Sequence, residues 1–120
     1  MKDKTFTKAD LAQFTGTENW YRHMIVRAVL YTDGIKYLAE RAGAYWLIDE
    51  IAFYQLSKPV AVEEFQLWKL TVDPDEKGIL QCEDGNGRIL LTKKIPYTDF
   101  PFDDIKIFFT NNVMMLPSEY

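Results

Sequence analysis

The sequence predicts an α+β domain, an antiparallel β-sheet meander with three helices packed on one face, and three observations carry that expectation. Apolar residues recur at helical spacing in residues 35–56 but alternate from residue 65 onward. Turn residues punctuate the second half at short intervals, and no stretch has the composition of a linker, so residues 1–120 are expected to form one domain. A chain of 120 residues, 48% hydrophobic and 15% aromatic, is large enough to bury about two-thirds of the surface its unfolded form exposes.

The elements follow in order. Thr7 precedes residues 8–14, where Asp10 in the first turn and apolar Leu11 and Phe14 make a short amphipathic helix that Gly16 ends. The run 24–31, MIVRAVLY, is rich in β-branched and aromatic residues and stops at Thr32-Asp33-Gly34, which predicts a strand; periodicity alone also admits a helix there. Asp33 is placed to cap a helix over 35–42, and Gly43 offers the left-handed position that either ends that helix or kinks it into the next.

Residues 42–55, AGAYWLIDEIAFYQ, are the most informative stretch. Turning them at about 100° per residue puts Ala44, Leu47, Ile48 and Ile51 on an aliphatic side, while Tyr45, Trp46 and Phe53 gather around Asp49 and Glu50, the segment's only charges. Ser57-Lys58-Pro59 stops this helix, because the residue before proline is biased out of the helical region.

From Phe65 the period is two: Gln66, Trp68, Leu70 and Val72 share one face, and Phe65, Leu67, Lys69 and Thr71 the other. The turn 73–78 and the hairpin residues Asp84-Gly85-Asn86-Gly87 then join strands over 79–83 and 88–95. After a segment with two prolines and three acids, 96–104, a fourth strand is expected over 105–110, with the apolar tail 114–120 docked on the body.

Charge and composition bound the function. With 14 Lys and Arg against 18 Asp and Glu, the net charge of -4 makes nucleic acid a poor partner. No run approaches the roughly 18 apolar residues of a membrane span, and the mixed-charge start MKDKTFTKADL lacks an apolar leader core, so a cytoplasmic protein is expected. Cys82 is the single cysteine; Gln81 and Glu83 give it neither base nor positive field, and a small buried apolar group is its expected state. His23 is the single histidine, which leaves no metal site built on two histidines. Asp33, Asp49, Glu50, Asp99, Asp103 and Asp104 are read as caps and a solvated edge, since sequence fixes none of their mutual distances. Asp84-Gly85-Asn86-Gly87 overlaps a calcium-loop pattern but lacks its later ligands, and glycine-rich phosphate cradles are missing, so no cofactor is expected.

The motifs Phe14-Thr15-Gly16-Thr17-Glu18, Tyr21-Arg22-His23, Leu30-Tyr31-Thr32-Asp33-Gly34, Tyr37-Leu38-Ala39-Glu40 and Ala42-Gly43-Ala44-Tyr45-Trp46-Leu47, with Asp49, carry a resemblance. Together with Asp84-Gly85-Asn86-Gly87, Tyr97-Thr98-Asp99-Phe100-Pro101 and Leu116-Pro117-Ser118-Glu119-Tyr120, the chain resembles a small family of uncharacterised bacterial, plasmid and phage proteins classed as a domain of unknown function. The resemblance implies no activity, cofactor or catalytic residue. It implies an accessory setting in which small acidic proteins act by binding another protein.

The leading expectation is therefore a non-enzymatic interaction module, an accessory or inhibitory protein that binds a partner protein through Tyr45, Trp46, Asp49, Glu50 and Phe53, a face suited to a basic partner and also open to homodimer formation. One alternative is a small hydrolase with His23 as base, oriented by Asp33 or Asp99. Another is a small-ligand site among the aromatic residues.

Overall fold

The computed structural model describes residues 5–120; the first residues of the mixed-charge start, 1–4, lie outside them. The described elements are α1 (Lys8–Ala12), β1 (Trp20–Arg22), β2 (Leu30–Thr32), α2 (Asp33–Ala42), α3 (Tyr45–Tyr54), β3 (Phe65–Val72), β4 (Gly78–Glu83), β5 (Ile89–Ile95), β6 (Asp104–Thr110) and β7 (Val113–Met115). Single 3₁₀ turns lie at Val60–Val62 and Pro117–Glu119. The strands form one seven-stranded sheet in the order β1-β2-β7-β6-β3-β4-β5, antiparallel throughout except where β2 meets β7.

The β3-to-β6 part of the sheet matches the alternation in the sequence. Gln66, Trp68 and Leu70 point into the core, opposite Leu80 and Cys82 on β4 and Ile105, Ile107 and Phe109 on β6. Helix α3 lies over this inner face: Tyr54 stacks on Trp68 with ring centroids 5.8 Å apart, and Glu50 meets Lys93 of β5 at 2.6 Å. Beneath α3, Gln66 is fully buried because its amide is completely used, exchanging hydrogen bonds with Gln55 at 2.7 and 2.9 Å and accepting from the Trp68 indole at 2.9 Å. Helix α2 covers the same face further along, with the Lys36 ammonium 4.5 Å from the centre of the Tyr21 ring. The short α1 is tied to α2 by Phe14 against Tyr37 at 5.1 Å, and to the start of β6 by the Lys8–Asp104 ion pair.

The sheet has seven strands where five were expected, it is mixed, and it is not a simple meander, because β6 lies beside β3 instead of β5. Residues 24–31 do not form one strand. Only their last residues enter β2, which pairs with β1 in the register Trp20↔Thr32, Tyr21↔Tyr31 and Arg22↔Leu30, and residues 23–29 are the connecting loop. The physical reason is a competition for backbone donors. The His23 imidazole accepts from the Ile25 and Val26 N–H groups, and Val29 N–H bonds the Val26 carbonyl, so the donors a ladder would need are used locally. β7 joins through a two-residue hairpin in which Asn111 and Asn112 both adopt positive φ, the geometry that tight hairpins require.

Two further local differences concern α2. Thr32, not Asp33, is its N-cap, accepting from Ile35 N–H, and Asp33 is the first helical residue. Gly43, at φ +62°, ends α2 outright, so α2 and α3 are separate helices. The tail docks as expected. Met114 and Leu116 are buried, and the Glu119 carboxylate accepts from the Thr32 hydroxyl at 2.6 Å, Leu116 N–H at 2.9 Å and Gly34 N–H at 3.1 Å. The radius of gyration, 13.5 Å, is that of one compact domain, for which about 13.6 Å is expected at this length. Among the described residues no helix is long and apolar enough to cross a membrane.

Candidate functional site

Helix α3 carries two outward stripes that differ in what they touch. Leu47, Ile48, Ile51 and Ala52 are consumed in the core. Trp46 is half-buried against it, and Glu50, one turn on, spends its charge on Lys93, so this flank closes on the sheet. Tyr45, Asp49 and Phe53, spaced by four residues, line up on the other flank, where Tyr45 is 43% and Phe53 44% exposed. Of the five residues predicted on this helix, three thus share an open stripe and two serve its seating.

The β1–β2 loop completes that stripe. His23 is only 5% exposed, and its Nε2 lies 2.8 Å from Asp49 Oδ1. Its Nδ1 accepts from Val26 N–H at 2.9 Å and Ile25 N–H at 3.2 Å, so in the neutral ring Nε2 carries the hydrogen and donates to Asp49. The ring edge also meets Phe53, at 5.9 Å between centroids. One side chain therefore fastens the loop to α3, and the loop tip beyond it holds Met24 at 87% and Ile25 at 70% exposure. Val26 and Val29, from the same apolar run, are buried and supply the loop's footing.

Acidic charge lies on the helix side of this surface, while the exposed Arg22 and Arg27 flank the loop. The Tyr31 phenol has a raised pKa, first through burial and then through the nearby Glu40 and Asp49 carboxylates. Tyr45 is raised likewise by burial and by Glu40. The sequence reading missed Met24 and Ile25 as surface residues, because a run of large apolar residues has no local mark that separates a loop tip from a buried strand.

A family model described as a family of unknown function, DUF6876, matches residues 5–120. The chain belongs to DUF6876. No curated protein and no solved structure matches it. In this DUF6876 chain the carboxylate next to His23 is Asp49, and neither Asp33 nor Asp99 fills that place. Asp33 accepts from the Tyr21 hydroxyl at 2.8 Å, from the Glu18 and Asn19 N–H groups and from the Asn19 amide. The Tyr21 bond above all, with those from the Glu18, Asn19 and Thr17 groups, holds the Asp33 pKa down at about 2 against the opposing effect of burial. It is a clamp that fixes residues 17–19 to the start of α2. Asp99 belongs to the segment before β6, where Thr98 N–H bonds the Glu76 carbonyl. With Nδ1 committed to two backbone donors and Nε2 to Asp49, His23 presents no spare lone pair to a substrate, so the geometry of the hydrolase reading is not assembled.

Cys82 lies buried on β4, and burial first, then Glu63, Glu83 and Asp84, push its thiol up to about 12. Such a thiol is not a nucleophile at neutral pH. Among the described residues no group of three His, Cys, Asp or Glu side chains converges on a point where a metal ion would sit. What the DUF6876 chain does bring together is an exposed apolar patch: Met24 and Ile25 on an anchored loop, beside Tyr45, Asp49 and Phe53.

Proposed function

We propose that the protein is a binding module that recognises another protein through the surface made by the β1–β2 loop and the Tyr45-Asp49-Phe53 stripe of α3. The observation that carries this reading is the loop tip, where two large apolar side chains stand almost fully in water on a backbone fastened by a buried histidine. Exposed apolar groups are ordinary when scattered, but two adjacent ones on a loop held in place have paid their ordering cost before any encounter, which is what favours binding. Asp49 and Glu40 stand on the α3 side of the tip and Arg22 and Arg27 on the loop side, so the matching partner surface offers an apolar knob or ridge with basic groups where it meets α3. The reading extends to a reducing cytoplasm, which suits the unpaired buried Cys82, and to an accessory or inhibitory role in a phage or plasmid setting.

Met24→Asp combined with Ile25→Asp tests it without touching the core. Wild-type and variant proteins serve as bait, and each recovered partner is purified and its affinity measured directly. The proposal expects a partner that binds wild type, loses affinity for the double variant and for Asp49→Lys, and is indifferent to Lys106→Glu on the opposite sheet face. Partners that treat all four proteins alike overturn it. Sedimentation of the wild-type protein across a concentration series identifies a second copy as occupant if it shows a dimer that the double variant abolishes.

A further inference from the structure

A second feature lies away from that surface. The sheet face opposite α2 and α3 carries Lys69, Lys94 and Lys106, placed there by the register Lys69↔Lys106, Thr71↔Ile79 and Ile79↔Lys94. Asp104 on the same face is already joined to Lys8. A chain with a net charge of -4 thus has a basic region on this face, near the end of the sheet where β3 gives way to β4. A cavity of about 570 Å³ opens at that end of the sheet, where Ile79 and Lys94 of this face meet the edges of Val72 and Ile95 from the core face, with Pro96 and Lys77 beside them. Its volume falls within the range of small-molecule sites, which run from about 300 to 1,000 Å³.

The chemistry of the lining selects the occupant. Four residues are aliphatic and none of the lining residues is aromatic, so a purine or other flat ring finds nothing to stack on. Among the described residues neither Lys77 nor Lys94 is engaged in an ion pair. The one acid at the rim, Asp73, has its carboxylate turned back to the Asp75 and Lys77 N–H groups at 2.9 Å, where it closes the β3–β4 turn. Two ammonium groups without a guanidinium fork suit a compact anion rather than one that demands paired recognition. We infer that this cavity is a binding site for a small amphipathic anion, an aliphatic carboxylate whose chain lies on Val72, Ile79, Ile95 and Pro96 and whose head meets Lys77 and Lys94.

The test titrates octanoate into isotope-labelled protein and follows backbone amide shifts, with 1-octanol and octylammonium as probes of equal chain length. The site predicts saturable binding of octanoate with shifts concentrated in residues 71–79 and 93–96, and affinity about five- to tenfold weaker for each of the two control probes. Lys77→Ala combined with Lys94→Ala, both surface changes, is expected to remove that preference while leaving the melting temperature unchanged. Shifts that fail to saturate, that scatter over the chain, or that are equal for all three probes overturn the proposal, as does a double variant that still prefers octanoate. Flotation with vesicles of anionic lipid supplies the other arm: vesicle binding without octanoate binding assigns the basic region to a membrane surface and rejects the small-molecule site.

Discussion

Replacing His23 by alanine asks most sharply whether the β1–β2 loop is held or merely resting. The substitution removes the acceptor of the Val26 N–H, a donor in a buried residue, and such an unsatisfied donor costs about 1–3 kcal/mol. The Ile25 N–H belongs to an exposed residue and regains water, so it adds little. Loss of the buried ring, with its edge contact to Phe53, leaves a void that the loop closes only in part, which brings the total to about 2–4 kcal/mol. Asp49 is 53% exposed and simply rehydrates; Asp49→Asn keeps an acceptor for Nε2 and is expected to cost less than about 1 kcal/mol. For a domain of this length each kcal/mol moves the melting temperature by roughly 3–6 °C, so His23→Ala should lower it by about 6–24 °C and Asp49→Asn by a few degrees at most. Urea unfolding followed by circular dichroism gives the free energies, and amide exchange reports Val26 directly. A His23→Ala protein that melts with the wild type, or an Asp49→Asn protein that is destabilised as much, would refute the reasoning, because the ring would then not be what fastens the loop.

Three further outcomes follow from the geometry. Gly34→Ala should destabilise by about 1–3 kcal/mol despite the better helix propensity of alanine: a Cβ there would stand 2.5 Å from Glu119 Oε1 and 2.7 Å from Leu116 Cδ1, forcing the docked tail off the start of α2. Thermal melts check this, and a stabilised variant would contradict it. Asp33 titrates at about 2 in the folded chain against an ordinary 3.8, so its contribution to stability is complete above pH 3.8 and is lost as pH falls toward 2. The gap in melting temperature between wild type and Asp33→Asn should therefore narrow across that window, and a constant gap would show that the clamp is not electrostatic. Cys82, buried and with its thiol near 12, should resist alkylation at neutral pH in the native protein and react fully once unfolded; rapid native labelling would mean that β4 opens.

How much of this was legible in the sequence depends on where each element's hydrogen bonds go. β3, β4 and β5 announce themselves because each pairs with the next across a short turn, and the alternation that places Gln66 with Trp68 and Leu70 on the core face is local; β6 shows as a run of its own, but its place beside β3 does not. The join between β2 and β7 is not local in that sense: Leu30 N–H finds the Asn112 carbonyl, and β2 pairs in parallel with a strand from the far end of the chain. Asn111-Asn112 was the available signal for β7, a pair that tolerates positive φ between two apolar runs. On α3 the helical period separated the aliphatic side, but nothing in the sequence tells that Trp46 packs against the core and Glu50 is spent on Lys93 while Asp49 is turned toward His23. A histidine that caps its own loop leaves no periodic trace, and for that reason Met24 and Ile25 read as strand interior rather than as exposed apolar residues of a loop tip.

The measurement that bears most directly on the recognition surface is photo-crosslinking inside the host cell, with a photoreactive residue placed at position 24 and, separately, at position 106 on the opposite sheet face. Position 24 should yield a discrete covalent adduct with one protein, lost when Asp49 is also changed to lysine, while position 106 yields none of it. The same adducts from both positions, or none from position 24, would contradict the assignment of this face to partner binding.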